Sequence, residues 1–326
     1  MNPVSSSATA RSTPMLDRQA RMLRTAMGPA IAAALADPEV IEIQVNPDGA
    51  MWLDRLGSGC EDTGTKITPQ DAERIIRLVA SHLRIEVNAT TPFICADLPE
   101  TGERFGGVLP PVTRAPTFVI RKRAIHIISL AQYVAEGFMS EEQALALRQA
   151  VRERRNIVIA GGTGTGKTTL ANSLLQEIAY TNDRVLILEE TPELQCLSPN
   201  HVSYRAQRGV VGMRDLSREI LIYSPDRIVI GEVRGGEALE LLKAWGTGHP
   251  GGVTTLHANN ACGALFRLEN LVQEVVVTVS RTVIADAVDI IVFLSRRAGQ
   301  RRVEEMIRVR GLRGTEYRIE PLLPSL

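Results

Sequence analysis

The sequence predicts an α/β fold: a mostly parallel sheet with helices on both faces, preceded by a smaller mixed α/β unit. Three observations predict it. The short, largely apolar runs 156–160 (NIVIA), 184–190 (RVLILEE), 226–233 (DRIVIGEV) and 252–257 (GVTTLH) are separated mostly by helical segments, and near-continuous apolar strands alternating with helices need a sheet covered on both faces. Before residue 125 the texture differs, with alternating strands and short runs broken by proline and glycine. The length, 326 residues, suits two domains of roughly 150 residues each.

In chain order, residues 1–14 are polar, lack an apolar signal-peptide segment, and read as a disordered tail. Pro14–Ala36 reads as a helix with Arg18, Arg21 and Arg24 on one side and Leu16, Met22, Leu23 and Met27 elsewhere. Such a helix either touches a membrane surface or packs its apolar stripe and solvates its charges. Residues 39–46 alternate like a strand, 47–49 (PDG) form a turn, and 50–57 read as a second strand. Thr68 as N-cap and Pro69 at the first helical position start a helix over 68–83. Short strands follow in 91–124. These elements make an N-terminal domain over 15–125 and leave 126–139 as a linker. Ser140 and Gln143 form a capping box at the start of a second domain, 140–326.

Composition narrows the function. Apolar residues are 44% and charged residues 23%, and 37 Lys and Arg balance 37 Asp and Glu. Zero net charge argues against bulk nucleic-acid coating, which needs a basic surface. The cysteines, Cys60, Cys95, Cys196 and Cys262, form no CxxC pair, which argues against a zinc knuckle. The longest apolar runs, such as 287–294 (AVDIIVFL), fall far short of the roughly 18 residues a membrane span needs. The expectation is a reduced, soluble, cytoplasmic protein whose membrane contact is at most peripheral.

The strongest motif is GGTGTGKT: Gly161, Gly162, Thr163, Gly164, Thr165, Gly166, Lys167 and Thr168, followed by Thr169. It lies between an expected strand and an expected helix, the setting in which G-x-x-x-x-G-K-[ST] binds nucleotide. Glycines let successive N–H groups turn inward around phosphate oxygens, and the helix N-terminus adds partial positive charge. Lys167 is expected to reach the β- and γ-phosphates of ATP and Thr168 to ligate Mg²⁺. A hydrolase also needs acidic groups to order metal and water. Glu189 and Glu190 end one expected strand, with Glu193 close behind, and Glu232 lies near the end of another. Sites in doubly wound sheets form outside the strands' carboxyl ends, so these residues should converge on the loop.

At this point the chain resembles a family. RVLILEETPEL (184–194) resembles the acidic box of the secretion and conjugation traffic ATPases. SPDRIVIGEVRGGEALELLKAWGTGHPGGVTTLHA (224–258) resembles their second nucleotide motif running into their histidine box. EIQVNPDGAMWLDR and TGERFGGVLPPVTRAPTFVIRK (102–122) are similar to the family's N-terminal domain, and 266–294 to its conjugal-transfer branch. The resemblance implies a RecA-like P-loop motor domain behind a smaller α/β domain, assembled as a homohexamer. Mg-ATP hydrolysis would drive interdomain movement and power pilus assembly or substrate transport. The implied partners are inner-membrane and cytoplasmic components of a conjugation or type IV secretion machine, with the chain on the cytoplasmic face of the inner membrane and no strong nucleic-acid binding. Carried onto this sequence, Glu189 positions or deprotonates the attacking water and Glu232 holds Mg²⁺ through water. Glu190 stands where many relatives have Asp.

Two histidines, His249 and His257, fall in the histidine box. Neither has a Cys or acidic partner at ligand spacing, and no Ser or Cys constellation supports a nucleophile. A sensor of the γ-phosphate fits better. His257, at the end of GVTTLH, is the first candidate and His249 the second; a structural histidine bonded to backbone is the alternative. Phosphoryl transfer also calls for positive charge outside the loop. Among Arg104, Arg121 and Arg123, in the stretch that contacts nucleotide in relatives, Arg104 and Arg121 are the first choices. Arg205 and Arg214 are candidates for the phosphates or a subunit interface. Where relatives read LRMRPD this chain reads LIYSPD, so Ile222 and Ser224 replace two arginines. The competing readings are a pilus-assembly or type II secretion ATPase, a nucleic-acid translocase, and a nucleotide-gated scaffold with little turnover.

Overall fold

A computed structural model describes residues 14–323 except 56–58, 100, 123–126, 208 and 298–299, and describes the backbone alone for 14–20 and 297. The chain divides into two compact units, Met1–Ile125 and His126–Leu326.

The first unit contains α1 (Pro14–Ala36), β1 (Val40–Val45), β2 (Ala50–Arg55), β3 (Gly59–Lys66), α2 (Pro69–Leu83), β4 (Phe93–Asp97), β5 (Arg104–Val108) and β6 (Thr117–Arg121). The strands form one antiparallel sheet in the order β3-β2-β1-β6-β5-β4. Leu23, Met27 and Ile31 of α1, spaced four apart, share a buried core with Ile75, Ile76 and Val79 of α2 and with Ile43, Phe105 and Ile120 of the sheet. Helix α1 therefore uses its apolar stripe for packing, while Arg21 and Arg24 stay exposed; the Arg18 side chain lies outside the described residues. The helix kinks at Gly28 (φ 71°), just before Pro29, whose ring blocks a regular turn. Helix α2 starts as expected, with the Thr68 side chain accepting from Asp71 N–H. Strand β3 (GCEDTGTK) was not expected. It is an edge strand paired only with β2 and carries no apolar alternation.

The second unit contains α3 (Leu130–Ala135), α4 (Glu141–Arg152), β7 (Ile157–Gly161), α5 (Lys167–Ile178), β8 (Val185–Glu189), β9 (His201–Arg205), α6 (Met213–Glu219), a 3-10 turn at Ile220–Tyr223, β10 (Arg227–Ile230), α7 (Glu237–Gly246), β11 (Val253–Leu256), α8 (Ala261–Gln273), α9 (Arg281–Ala287), β12 (Ile290–Arg297), β13 (Gln300–Arg313) and β14 (Glu316–Pro321). Its sheet runs β14-β13-β12-β7-β11-β10-β8-β9. Neighbours from β12 to β9 pair in parallel, and β13 and β14 extend the sheet antiparallel. The central strands bury both faces. Val158, Ala160, Leu186, Leu188, Ile228 and Ile230 face α7, α8 and α9, and Ile157, Ile159, Val185, Ile187 and Val229 face α4 and α5. Alternation along each strand thus feeds two cores, one per sheet face.

The segment expected as a linker, 126–139, holds a helix. Ser129 and Gln132 form a full capping box at the start of α3, and Leu130, Tyr133 and Met139 are buried in the core beneath α4 and α5. Apolar residues at 130, 133 and 134 make one short helical face, which the linker reading overlooked.

Because β7, β8, β10 and β11 are parallel, their C-terminal ends meet at one edge of the sheet and their N-terminal ends at the other. The N-terminal edge is pinned by Arg227, only 1% exposed. Its guanidinium bonds Asp183 at 2.6 Å and donates to the carbonyls of Gly251 (3.0 Å) and Val151 (2.9 Å). Asn156 accepts from the N–H groups of Gly251 and Gly252, so the start of β11 is held from two sides.

Candidate functional site

The C-terminal edge gathers the residues singled out from the sequence. After the buried strand β7 the chain turns through Gly162–Gly166 into α5. Gly166 is the helix N-cap with φ 94°, a backbone state that L side chains rarely adopt. Lys167 is buried and folds back, donating from Nζ to the carbonyls of Gly161 (3.1 Å) and Gly162 (2.8 Å). The Thr165 hydroxyl tightens the same turn by bonding Gly162 O at 2.9 Å. Gly162 and Thr163 form the exposed rim, and Thr168 and Thr169 lie half-buried at the helix start.

Glu189 ends β8 and is 5% exposed. Its Oε1 accepts the N–H groups of Glu193 (2.8 Å) and Leu194 (2.9 Å). That carboxylate oxygen therefore organises the following loop, and the loop presents Glu193. The Glu193 Oε2 lies 3.3 Å from the Thr168 hydroxyl. Asn172 of α5 donates to Glu193 O and accepts from Gln195 N–H, locking the loop to the helix four residues beyond Thr168. The carboxylate that meets the phosphate-loop threonine is thus Glu193, to which the sequence reading assigned no role. Asn172 was missed as well. Its signal is a buried asparagine inside a helix that would otherwise favour a better helix former.

Glu232 follows β10 and is flanked on both oxygens. Oε2 accepts from Arg234 at 2.5 Å, and Oε1 lies 2.9 Å from Nε2 of His257. Among the described residues Oε1 has no other donor, so this contact becomes a hydrogen bond when the imidazole carries its proton on Nε2. Partial burial lowers the His257 pKa, and the positive charges of Lys167, Arg234 and Arg267 push the same way against the opposing pull of Glu232. These influences favour the neutral ring. Arg234 also reaches the exposed Glu190 at 3.7 Å. This bridge was missed, although the VRGG that follows Glu232 places an arginine two residues on.

The two histidines separate. His257 directly follows β11 at the C-terminal edge. His249 precedes β11 and bonds the Pro225 carbonyl through Nδ1 at 2.9 Å, at the N-terminal edge. The expectation that His249 is a second sensor candidate is corrected: it is a structural histidine bonded to backbone, at the opposite end of the strands from the loop. Arg214 pairs with Glu240 of α7 together with Arg218. Arg205 lies beside the acidic box, bonding Glu190 O at 3.3 Å. In the first unit Arg104 and Arg121 are direct cross-strand partners on β5 and β6, so both guanidiniums project from the same sheet face. That face is opposite the one α1 and α2 cover, since Phe105 and Ile120 point inward. Arg123 lies outside the described residues. Ile222 is 74% exposed, and Ser224 is exposed with φ 51°. The structure gives no reason for the loss of arginine at either position.

The family model described as type II/IV secretion system protein matches residues 63–313. The conjugal transfer protein TrbB of Rhizobium radiobacter is 47% identical over 305 residues, covering 93% of this chain and 94% of that protein. The type IV secretion system protein VirB11 of Bartonella quintana is 30% identical over 284 residues, covering 75% of this chain and 79% of that protein. The X-ray structure of the Legionella pneumophila ATPase DotB shares the α/β fold, with a TM-score of 0.59 at 19% identity, covering 94% of this chain and 82% of that one. With a phosphate loop, an acidic box and a histidine meeting at one sheet edge, and with these matches spanning most of its length, the chain belongs to the type II/IV secretion system protein family.

Proposed function

We propose that the second unit is a RecA-like P-loop motor that hydrolyses Mg-ATP, and that the chain acts as a homohexamer powering conjugative transfer through a type IV secretion machine. The observation that carries this reading is the convergence of Lys167, Thr168, Glu193, Glu232 and His257 at the C-terminal edge of one parallel sheet. The donor set fits magnesium: the Thr168 hydroxyl is a hard oxygen ligand of the kind Mg²⁺ takes, the Glu193 carboxylate lies beside it, and Glu232 would hold the ion through water. Bound there, Mg²⁺ would offset charge on the β- and γ-phosphates.

This chain's own residues then divide the work. Lys167 exchanges its two carbonyl contacts for phosphate oxygens. Glu193 orients the attacking water, and Glu189 positions Glu193 by holding its loop. His257 bonds the γ-phosphate or Glu232, so loss of the phosphate changes what holds the end of β11. Arg104 and Arg121 bring guanidinium charge to the terminal phosphate, and Arg205 is a further phosphate or interface contact. The hydrolysis cycle moves the first unit against the second. The partners are inner-membrane and cytoplasmic components of the secretion machine, with the protein on the cytoplasmic face of the inner membrane. Among the described residues no helix is long and apolar enough to cross a membrane. A nucleotide-gated scaffold is the second reading, favoured by the exposed Ile222 and Ser224 where relatives carry arginine.

The test is steady-state ATP turnover with and without Mg²⁺, beside Lys167→Ala, with particle mass measured in the same buffer. The motor reading expects Mg²⁺-dependent turnover by a hexamer and none from the variant. Wild type that binds ATP but turns over no faster than the variant would favour the scaffold. Wild type that binds no nucleotide would refute the site itself.

A further inference from the structure

The terminal hairpin β12–β13 brings two arginines to the phosphate loop. Strand β12 pairs with β7 in parallel, Leu294 beside Gly161, so it runs alongside the start of the loop. Two residues on, Arg296 is the direct cross-strand partner of Arg301 on β13, which sets both side chains on one face of the hairpin. That face meets the loop. A methyl group added at Gly164 would sit 3.8 Å from Nη1 of Arg296. One added at Gly166 would sit 3.3 Å from Cδ of Arg301 and 3.9 Å from both Nε and Nη1. Both glycines have positive φ, and the small residues let the guanidiniums approach.

Two like charges directly opposite one another destabilise a strand pair. Here they stand beside a third cation, Lys167, and among the described residues neither Arg296 nor Arg301 forms an ion pair. Some other arginines of this unit are matched, as Arg227 is by Asp183, Arg234 by Glu232 and Arg281 by Glu269, while others, such as Arg267 and Arg302, form no ion pair among the described residues; Arg296 and Arg301 differ from these in lying against the loop. Two guanidiniums without an ion pair among the described residues, packed on this loop, suit an anion, and phosphate answers them by charge.

We propose that Arg296 and Arg301 form a second cationic jaw of the phosphate site, supplied by the same chain, that strengthens binding of a nucleotide's phosphate chain. The proposal rests on the reading of the loop as a nucleotide site. It assigns the terminal hairpin a binding role besides its packing on the sheet.

The experiment uses the full chain. Isothermal titration measures affinity for Mg-ADP and Mg-ATPγS in wild type, Arg296→Gln, Arg301→Gln, the double Gln variant and the double Lys variant, at two salt concentrations. Each Gln substitution should weaken binding by about three- to tenfold, as expected for loss of one unit charge about 4 Å from the phosphates under water-like screening, worth about 1 kcal/mol. The double Gln variant should also show a shallower salt dependence, and the double Lys variant, which keeps the charge, should bind within about threefold of wild type. Double Gln binding within twofold of wild type with the same salt dependence would overturn the proposal. So would a double Lys variant as weak as the double Gln variant, because the arginines would then act through packing. Wild type that binds neither nucleotide would instead refute the nucleotide-site reading.

Discussion

Arg227→Met should be among the most damaging single changes in the second unit, although it lies at the edge of the sheet away from the phosphate loop. Arg227 is essentially inaccessible, and its hydrogen bonds go to one carboxylate and two carbonyls. Methionine fills much of the volume and supplies no donor. The substitution leaves Asp183 buried with one of its two cations gone and leaves Gly251 O and Val151 O short of a partner. Asp183 keeps Thr181 and Arg154. Burial opposes ionisation of Asp183, yet hydrogen bonds from Arg227, Thr181 and Arg154 hold its pKa below the usual value. Removing one partner of a buried pair costs about 3–5 kcal/mol. For a unit of this size that is a fall of roughly 6–20 °C in melting temperature, at about 2–4 °C per kcal/mol. Because part of the penalty comes from the weakened pairing of buried Asp183, Arg227→Met combined with Asp183→Leu should recover part of it. Urea unfolding of the single and double variants measures the coupling. A single variant costing less than about 1 kcal/mol, or a double variant as unstable as the sum of the singles, would refute the reasoning.

Two further predictions follow from local geometry. Gly252→Ala should prevent stable folding of the second unit, because the added carbon would lie 2.2 Å from both Ile228 O and Trp245 Nε1, which are hydrogen-bonded to each other at 3.1 Å; near-native thermal stability of the purified variant would contradict this. His257 should titrate below its ordinary value of 6.5, so it disfavours protonation when folded, and its contribution to stability is present above the unfolded value and lost as pH falls from there through the lower folded value. Glu232→Gln removes the one nearby charge that raises the His257 pKa and should lower the midpoint further, which an NMR titration of the imidazole would detect as a shift to lower pH; an upward shift would refute the pairing.

The phosphate loop was readable because its chemistry is contiguous: eight residues running from the end of a buried strand into the first turn of a helix specify turn, charge and helix dipole together. Glu232 and His257 were readable for a related reason, since each sits at the end of a run whose apolar pattern marks a central strand. The strand GVTTLH begins after His249 and ends at His257, so the two histidines lie at opposite edges of the sheet. The division between Glu189 and Glu193 was not readable. It depends on the path of the loop after β8, which is set by two amides folding onto Glu189 and by Asn172 reaching across from α5. The terminal hairpin was missed because β13 and β14 lie at the sheet margin, where alternating charged residues carry little apolar signal and where pairing, not burial, makes the strand. Arg227 looked like any charged residue at the start of a strand, and only the packed structure shows three acceptors closing on it. The linker reading of 126–139 failed because a six-residue helix buries too few side chains to leave a clear periodicity.

The account rests on Glu193, not Glu189, being the carboxylate that works with Thr168. Its most direct test is to measure Mg-ATP affinity and single-turnover hydrolysis on the same preparations of wild type, Glu193→Gln and Glu189→Gln. The account predicts that Glu193→Gln folds and binds Mg-ATP within about tenfold of wild type, while the hydrolysis rate falls by about 10²-fold or more, the scale of losing a group that acts on the attacking water. Glu189→Gln should lose hydrolysis together with thermal stability, because it unmakes the loop that holds Glu193. Glu193→Gln turning over at the wild-type rate, with Glu189→Gln stable and inert, would contradict the account and return the water-positioning role to Glu189.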